Sequence, residues 1–168
     1  YDYIPGILDF LNCLRKNDVK TAIVTSSNDV KMANLYREHP DWAIHIEGRL
    51  PIYSREQLVL DLTKQEVCDY IIDNVSSILE SANITYVKWD MNRNITNIPE
   101  GLANDQCFEF HHRYMLGLYR VLAHLTKRFP DILFESCAGG GGRNDLGIMY
   151  YMPQAWASDD TDAIERLS

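Results

Sequence analysis

Apolar residues recur along this chain in two rhythms, one helical and one strand-like, and the two alternate. Leu8, Leu11 and Leu14, with Arg15, fall on one helical face that closes near Asn17-Asp18. Val19-Lys20-Thr21-Ala22-Ile23-Val24 then reads as a strand. Residues 28–38 are helix-compatible, and His39-Pro40 stops them, because the residue before a proline is pushed out of helical conformation. Ala43-Ile44-His45-Ile46 is a short extended piece, and Gln57-Leu58-Val59-Leu60-Asp61-Leu62 reads as a strand. Val67, Ile71, Val75, Ile78 and Leu79 recur at helical spacing and predict a helix over 64–82.

The second half repeats the alternation. Residues 84–90 form the next strand, and the polar segment 97–107, with Pro99 and Gly101, reads as a loop. Met115, Leu118, Tyr119, Leu122 and Leu125 set the buried stripe of a helix over 108–128, which Pro130 closes. Residues 131–137 and 154–159 are strands separated by a glycine-rich loop at Ala138 to Arg143. Strands alternating with long helices predict an α/β fold, a parallel sheet covered by helices. Right-handed crossovers would build it into a barrel or a doubly wound sheet.

Composition narrows the partners. A chain of 168 residues can bury a core, and 46% hydrophobic with 24% charged residues is ordinary for a globular protein. A net charge of −8 argues against nucleic acid or an anionic membrane surface. No apolar run approaches the roughly 20 residues of a membrane span. The start, Tyr1-Asp2-Tyr3-Ile4-Pro5-Gly6, lacks a signal-peptide pattern and an initiating Met, so the chain reads as a piece of something longer. The four cysteines, Cys13, Cys68, Cys107 and Cys137, are widely spaced without a metal pattern. They read as free thiols of a reducing, cytoplasmic compartment.

The candidate chemistry sits at strand ends: Asp61, Asp90, Cys137 and Asp159. Parallel neighbouring strands would bring such tips to one face, where α/β barrels keep their active sites. Two carboxyl groups about 5–5.5 Å apart suffice for retaining glycoside hydrolysis, one as nucleophile and one as acid/base. Lys88 beside Asp90 would favour the ionised carboxylate that a nucleophile requires. Trp89 could offer an apolar face to a sugar ring or, as readily for a tryptophan in a strand, belong to the core. Asp159, Asp160 and Asp162 are crowded, which favours one of them holding a proton, and chemistry alone does not rank them. Gly139 to Gly142 lacks the lysine of a phosphate-binding loop, so it reads as backbone, Gly140 included, passing close to a ligand. Arg55 and Arg143 are candidate binders of hydroxyls or anions. His111 and His112 lack metal-ligand spacing and read as structural.

From about residue 35 to the end, the chain closely resembles melibiase-type α-galactosidases of glycoside hydrolase family 36. The motifs are Leu35-Tyr36-Arg37-Glu38-His39-Pro40-Asp41-Trp42, Tyr86-Val87-Lys88-Trp89-Asp90-Met91-Asn92-Arg93, and Leu133-Phe134-Glu135-Ser136-Cys137-Ala138 with the glycines to Arg143. Tyr150-Tyr151-Met152-Pro153-Gln154, followed by Trp156, Ser158-Asp159 and Thr161 to Arg166, completes them. The resemblance implies the middle strands of a (β/α)₈ barrel, and a retaining double displacement on terminal α-galactosyl groups of melibiose- or raffinose-type sugars. It implies Asp90 as nucleophile and Asp159 as acid/base. Arg55, Lys88, Trp89, Asn92 and Cys137 would line the galactose pocket, with no metal or organic cofactor. The family's Asp-Asp pair after an earlier strand and its Trp-Phe-Glu-Pro-Glu strand end do not occur here.

Residues 1–34 resemble a different family. Ile4 to Leu11, followed by Val19 to Asn28, is similar to haloacid-dehalogenase-type phosphatases, implying a Rossmann-like helix–strand–helix piece joined to the partial barrel. The upstream Asp-x-Asp motif of that family is absent. Two alternatives to a retaining glycosidase follow: a non-catalytic α/β remnant or half-barrel whose open strand edges pair with another copy, and, less favoured, a haloacid-dehalogenase-type phosphatase.

Overall fold

In the computed structural model, the described residues are 35–46, 48, 49, 52, 57–98, 107–160 and 162–164, with residues 9, 12, 13 and 16 near the start. The expected strand over 19–24 and the candidate Arg55 lie outside them.

Two long helices supply the covering layer. Helix α1 (Gln65–Ser81) buries Val67, Cys68, Ile72, Ser76 and Leu79, a stripe at three- and four-residue spacing. Ile78, expected on that stripe, is exposed. Helix α2 (Phe110–Arg128) buries Phe110, Tyr114, Gly117, Leu118, Val121, Leu122 and Leu125. Met115 and Tyr119 flank this stripe, half-buried. A 3₁₀ turn, Cys107–Glu109, leads into α2, and Lys127 and Arg128 complement the negative end of its dipole. The close fit below the helices depends on Gly117, where an added Cβ would stand 1.9 Å from the Leu62 carbonyl oxygen. The Cys68 thiol donates to that same oxygen at 3.3 Å. Arg128 pairs with Glu80 at 2.5 Å, tying the helix ends together.

The sheet holds three parallel strands in the order β1 (Tyr86–Asp90), β2 (Leu133–Cys137), β3 (Gln154–Ala155). Register aligns Lys88 with Glu135 and Asp90 with Cys137, and Glu135 with Gln154. Side chains alternate across the sheet. One face turns Phe134, buried, and Val87 and Trp89, half-buried, into the helical core. The other carries Tyr86, Lys88, Asp90, Glu135, Cys137 and Gln154. Among the described residues no helix is long and apolar enough to cross a membrane.

Three expectations are corrected. Residues 57–62 are not a strand: Leu60 makes an isolated antiparallel bridge to Ala43, and the chain then turns into α1. Asp61 belongs to that turn, accepting from the Thr63 backbone N–H and hydroxyl at 3.0 and 2.6 Å, and it is absent from the row of strand tips. The last strand stops at Ala155 instead of reaching Asp159, because β2 ends at Cys137 and the next residue turns to bridge Gly141. Beyond it the Ala157 carbonyl accepts from Gly141 N–H at 3.2 Å. A short helix α3 (Leu146–Tyr151), which hydrophobic periodicity misses, joins β2 to β3. Its six residues bury only Ile148, and the Asp145 side chain caps it by accepting from Gly147 and Ile148 N–H.

Candidate functional site

The inward row at the strand ends is Asp90 beside Cys137, followed by Trp156 just past β3. Asp90 ends β1 with its carboxylate exposed, accepting from the Asn92 amide at 2.5 Å. The Asn92 carbonyl oxygen accepts in turn from Gly139 N–H at 3.0 Å, so one side chain ties the Asp90 carboxylate to the glycine loop. Met91 N–H donates to the Cys137 carbonyl at 2.9 Å, extending the pairing of the two strands past Asp90. Cys137 is buried, and burial pushes its thiol up. The Gly140 backbone opposes that shift, and the adjacent Asp90 carboxylate adds to it, so Cys137 remains a protonated donor.

The glycine loop places the second carboxylate. Gly139 and Gly140 have φ of +57° and +86°, the left-handed region that favours glycine. A Cβ on Gly140 would lie 3.1 Å from the Ser158 Cα and 3.4 Å from the Asp159 nitrogen, so this loop packs directly on the Asp159 backbone. The Asp159 Oδ1 atom accepts from the Trp156 indole N–H at 3.0 Å. Its acidic neighbours act as turn formers. Asp160 accepts from Asp162 N–H at 3.0 Å and Asp162 from Ile164 N–H at 2.8 Å.

Lys88 does not pair with Asp90. Its ammonium lies 3.6 Å from Glu135 Oε1 and 4.1 Å from the centre of the Trp156 ring. That distance makes an ion pair and not a hydrogen bond, and Oε1 is otherwise without a hydrogen-bond partner. Glu135 Oε2 accepts from the Tyr86 hydroxyl and from the Gln154 amide. Burial, then the Glu135 carboxylate, push the Tyr86 phenol up to about 12.

Two expected contacts fall elsewhere. Trp89 points to the helix side of β1 and packs, half-buried, against the core. Arg143 donates to the carbonyls of Trp89 and Cys137 at 3.1 and 3.3 Å. It therefore ties the ends of β1 and β2 from within, and burial lowers its pKa. His111 and His112 are exposed at the start of α2. The residues that sequence reasoning missed are Glu135 and Trp156. The signal for the first is a carboxylate at the centre of a largely buried strand, with the same parity as Cys137. For the second it is an aromatic residue sharing the parity of Gln154.

The profile of the melibiase family matches residues 6–168. The match runs through the segment that resembles a phosphatase in sequence, and neither it nor the relatives below support a phosphatase. Alpha-galactosidase AgaA of Geobacillus stearothermophilus is 58% identical over 80% of this chain and 19% of its own length. Alpha-galactosidase 1 of Pediococcus pentosaceus is 50% identical over 97% of this chain and 22% of its own. The chain thus spans about a fifth of the length of these relatives. The crystal structure of AgaA superposes with a TM-score of 0.75 at 59% identity, over 79% of this chain and 19% of that one. Variants of AgaA have been solved in complex with raffinose and with stachyose.

Proposed function

Because this chain belongs to the melibiase family, we propose that it is the segment of a retaining α-galactosidase that carries both reacting carboxylates. In this reading β1, β2 and β3 are neighbouring strands of a (β/α)₈ barrel. The observation that carries it is the in-register parallel pairing that sets Asp90 beside Cys137, with the Asp159 backbone packed on the adjoining glycine loop.

The chemistry follows from the geometry. Asp90, exposed at a strand end and held by Asn92, attacks the anomeric carbon of a terminal α-galactosyl group. Asp159 protonates the departing glycosidic oxygen. Asp90 then holds the sugar as an ester until Asp159 takes a proton from water and the water displaces it. Lys88, Asn92, the Cys137 thiol and the Gly140 backbone line the inward face as hydroxyl-binding groups, with Arg55 joining them by motif position. Trp89 is left out, since it faces the core. Raffinose-type sugars are the proposed substrates, supported by the ligands of the AgaA complexes. A cytoplasmic setting fits the free, buried thiols of Cys68 and Cys137.

The test is release of aryl alcohol from an activated aryl α-galactoside by the purified chain, beside Asp90→Asn and Asp159→Asn. Loss of turnover in Asp90→Asn is expected. Asp159→Asn should lose about 10²–10⁴-fold on substrates that need protonation of the leaving group. A variant that keeps the full rate refutes its assigned role.

A further inference from the structure

We infer that Trp156 is the positioning residue for Asp159: its indole N–H fixes the Oδ1 atom while Lys88 clamps its ring from the neighbouring strands. The inference deepens the glycosidase reading and rests on Asp159 being the acid/base.

Asp159 stands in an exposed stretch beyond the sheet, where a short side chain would ordinarily sample several rotamers. Three contacts remove that freedom from the group that holds it. The Trp156 backbone N–H donates to the Ser136 carbonyl at 2.9 Å, so the residue is anchored to β2 although β3 has ended. The Lys88 ammonium sits 4.1 Å from the ring centre, a cation–π contact that fixes the indole plane. Lys88 is itself held at 3.6 Å by Glu135, whose side chain is 4% exposed and fastened by Tyr86 and Gln154. Rigidity thus passes from a buried carboxylate to an ammonium, to an indole, to the exposed carboxylate.

The donor's chemistry matters as well. An indole N–H donates and cannot accept. It can occupy an oxygen of Asp159 but cannot take the acid's proton. With Oδ1 engaged at 3.0 Å, the transferable proton resides on Oδ2. Asp160 and Asp162 accept from the backbone N–H groups of Asp162 and Ile164 and so shape the turn that follows.

Two measurements test this on the full chain. With the three tryptophans ¹⁵N-labelled, Trp156→Phe assigns one indole signal by its loss. Asp159→Ala should shift that signal and leave those of Trp42 and Trp89 in place. An unmoved Trp156 signal overturns the contact. In turnover, Trp156→Phe keeps a ring for Lys88 and removes the donor. It should lower kcat/KM about 10- to 100-fold for an α-galactoside with a poor leaving group, part of the general-acid contribution of about 10²–10⁴. For a dinitrophenyl α-galactoside, whose leaving group needs no proton, the loss should be far smaller. Equal losses on both substrates would indicate general disruption and overturn the positioning role. Absence of turnover in the unsubstituted chain counts against the proposed activity, and the indole signal then decides the inference independently.

Discussion

Replacing Gly140 with alanine should destabilise the chain and displace Asp159, by two routes that a neighbouring glycine separates. Gly140 has φ of +86°, where a side-chain-bearing residue costs about 1–2 kcal/mol. Its new Cβ would also meet the Ser158 Cα at 3.1 Å, and the Ala157 oxygen and Asp159 nitrogen at 3.4 Å. These are backbone atoms that cannot rotate away. Relieving contacts of that length takes only a few tenths of an ångström, so the low end of the overpacking range, about 1 kcal/mol, applies. Together the loss is about 2–3 kcal/mol. Gly139 is the control: its φ is +57°, but the nearest atom to an added Cβ is Asn92 Oδ1 at 3.9 Å. Gly139→Ala should lose only the conformational part, about 1–2 kcal/mol. Urea unfolding followed by tryptophan fluorescence measures both. Only Gly140→Ala should also shift the Trp156 indole signal and, where turnover is measured, reduce it. Displacing a reacting group by about 1 Å can cost on the order of 10²-fold. If the two variants unfold at the same urea concentration and leave the Trp156 signal alike, the glycine loop does not set the place of Asp159.

Two further outcomes test the scaffold. Asp145→Ala should cost about 0.5–2 kcal/mol at neutral pH by uncapping α3. Burial raises the Asp145 pKa, but bonds from Ile148 N–H, the Tyr119 hydroxyl and Gly147 N–H outweigh it, and the net value lies below 3.8. A folded pKa below the unfolded one gives stability that is full above the unfolded value and lost as pH falls through the folded one. Urea curves of parent and variant should therefore converge as pH drops below 3.8, and a gap that persists in acid contradicts the cap. Gly117→Ala gains about 1 kcal/mol of helix propensity. It also forces a Cβ to 1.9 Å from the Leu62 carbonyl oxygen, so α2 must move off the Leu62 turn. Overpacking of about 1–3 kcal/mol should outweigh the gain, lowering the midpoint of thermal unfolding. A variant as stable as its parent refutes that close approach.

Sequence reasoning did best where the signal is local. The stripes of Val67 to Leu79 and Leu118 to Leu125 depend only on helical spacing, and both helices begin and end within two residues of expectation. Tyr86–Asp90 and Leu133–Cys137 carry strand composition along their own length, and both form strands. Gln57 to Leu62 has comparable composition but forms only isolated bridges, one of them from Leu60 to Ala43, before the chain turns into α1. A strand needs a partner over several residues, and composition does not say whether one is present.

The two long helices, the strands β1 and β2, and the carboxylates that close β1 and follow β3 are therefore legible in the sequence itself. The tertiary structure decided which groups face which. Strand register turned Trp89 into the core and paired Lys88 with Glu135 instead of Asp90. It brought Trp156 under Lys88 from 68 residues along the chain, counted from 88 to 156. It also committed Arg143 to the carbonyls of Trp89 and Cys137. Periodicity is written within a few residues of each position, whereas a side chain's partner depends on which distant segment lies beside it and in what register.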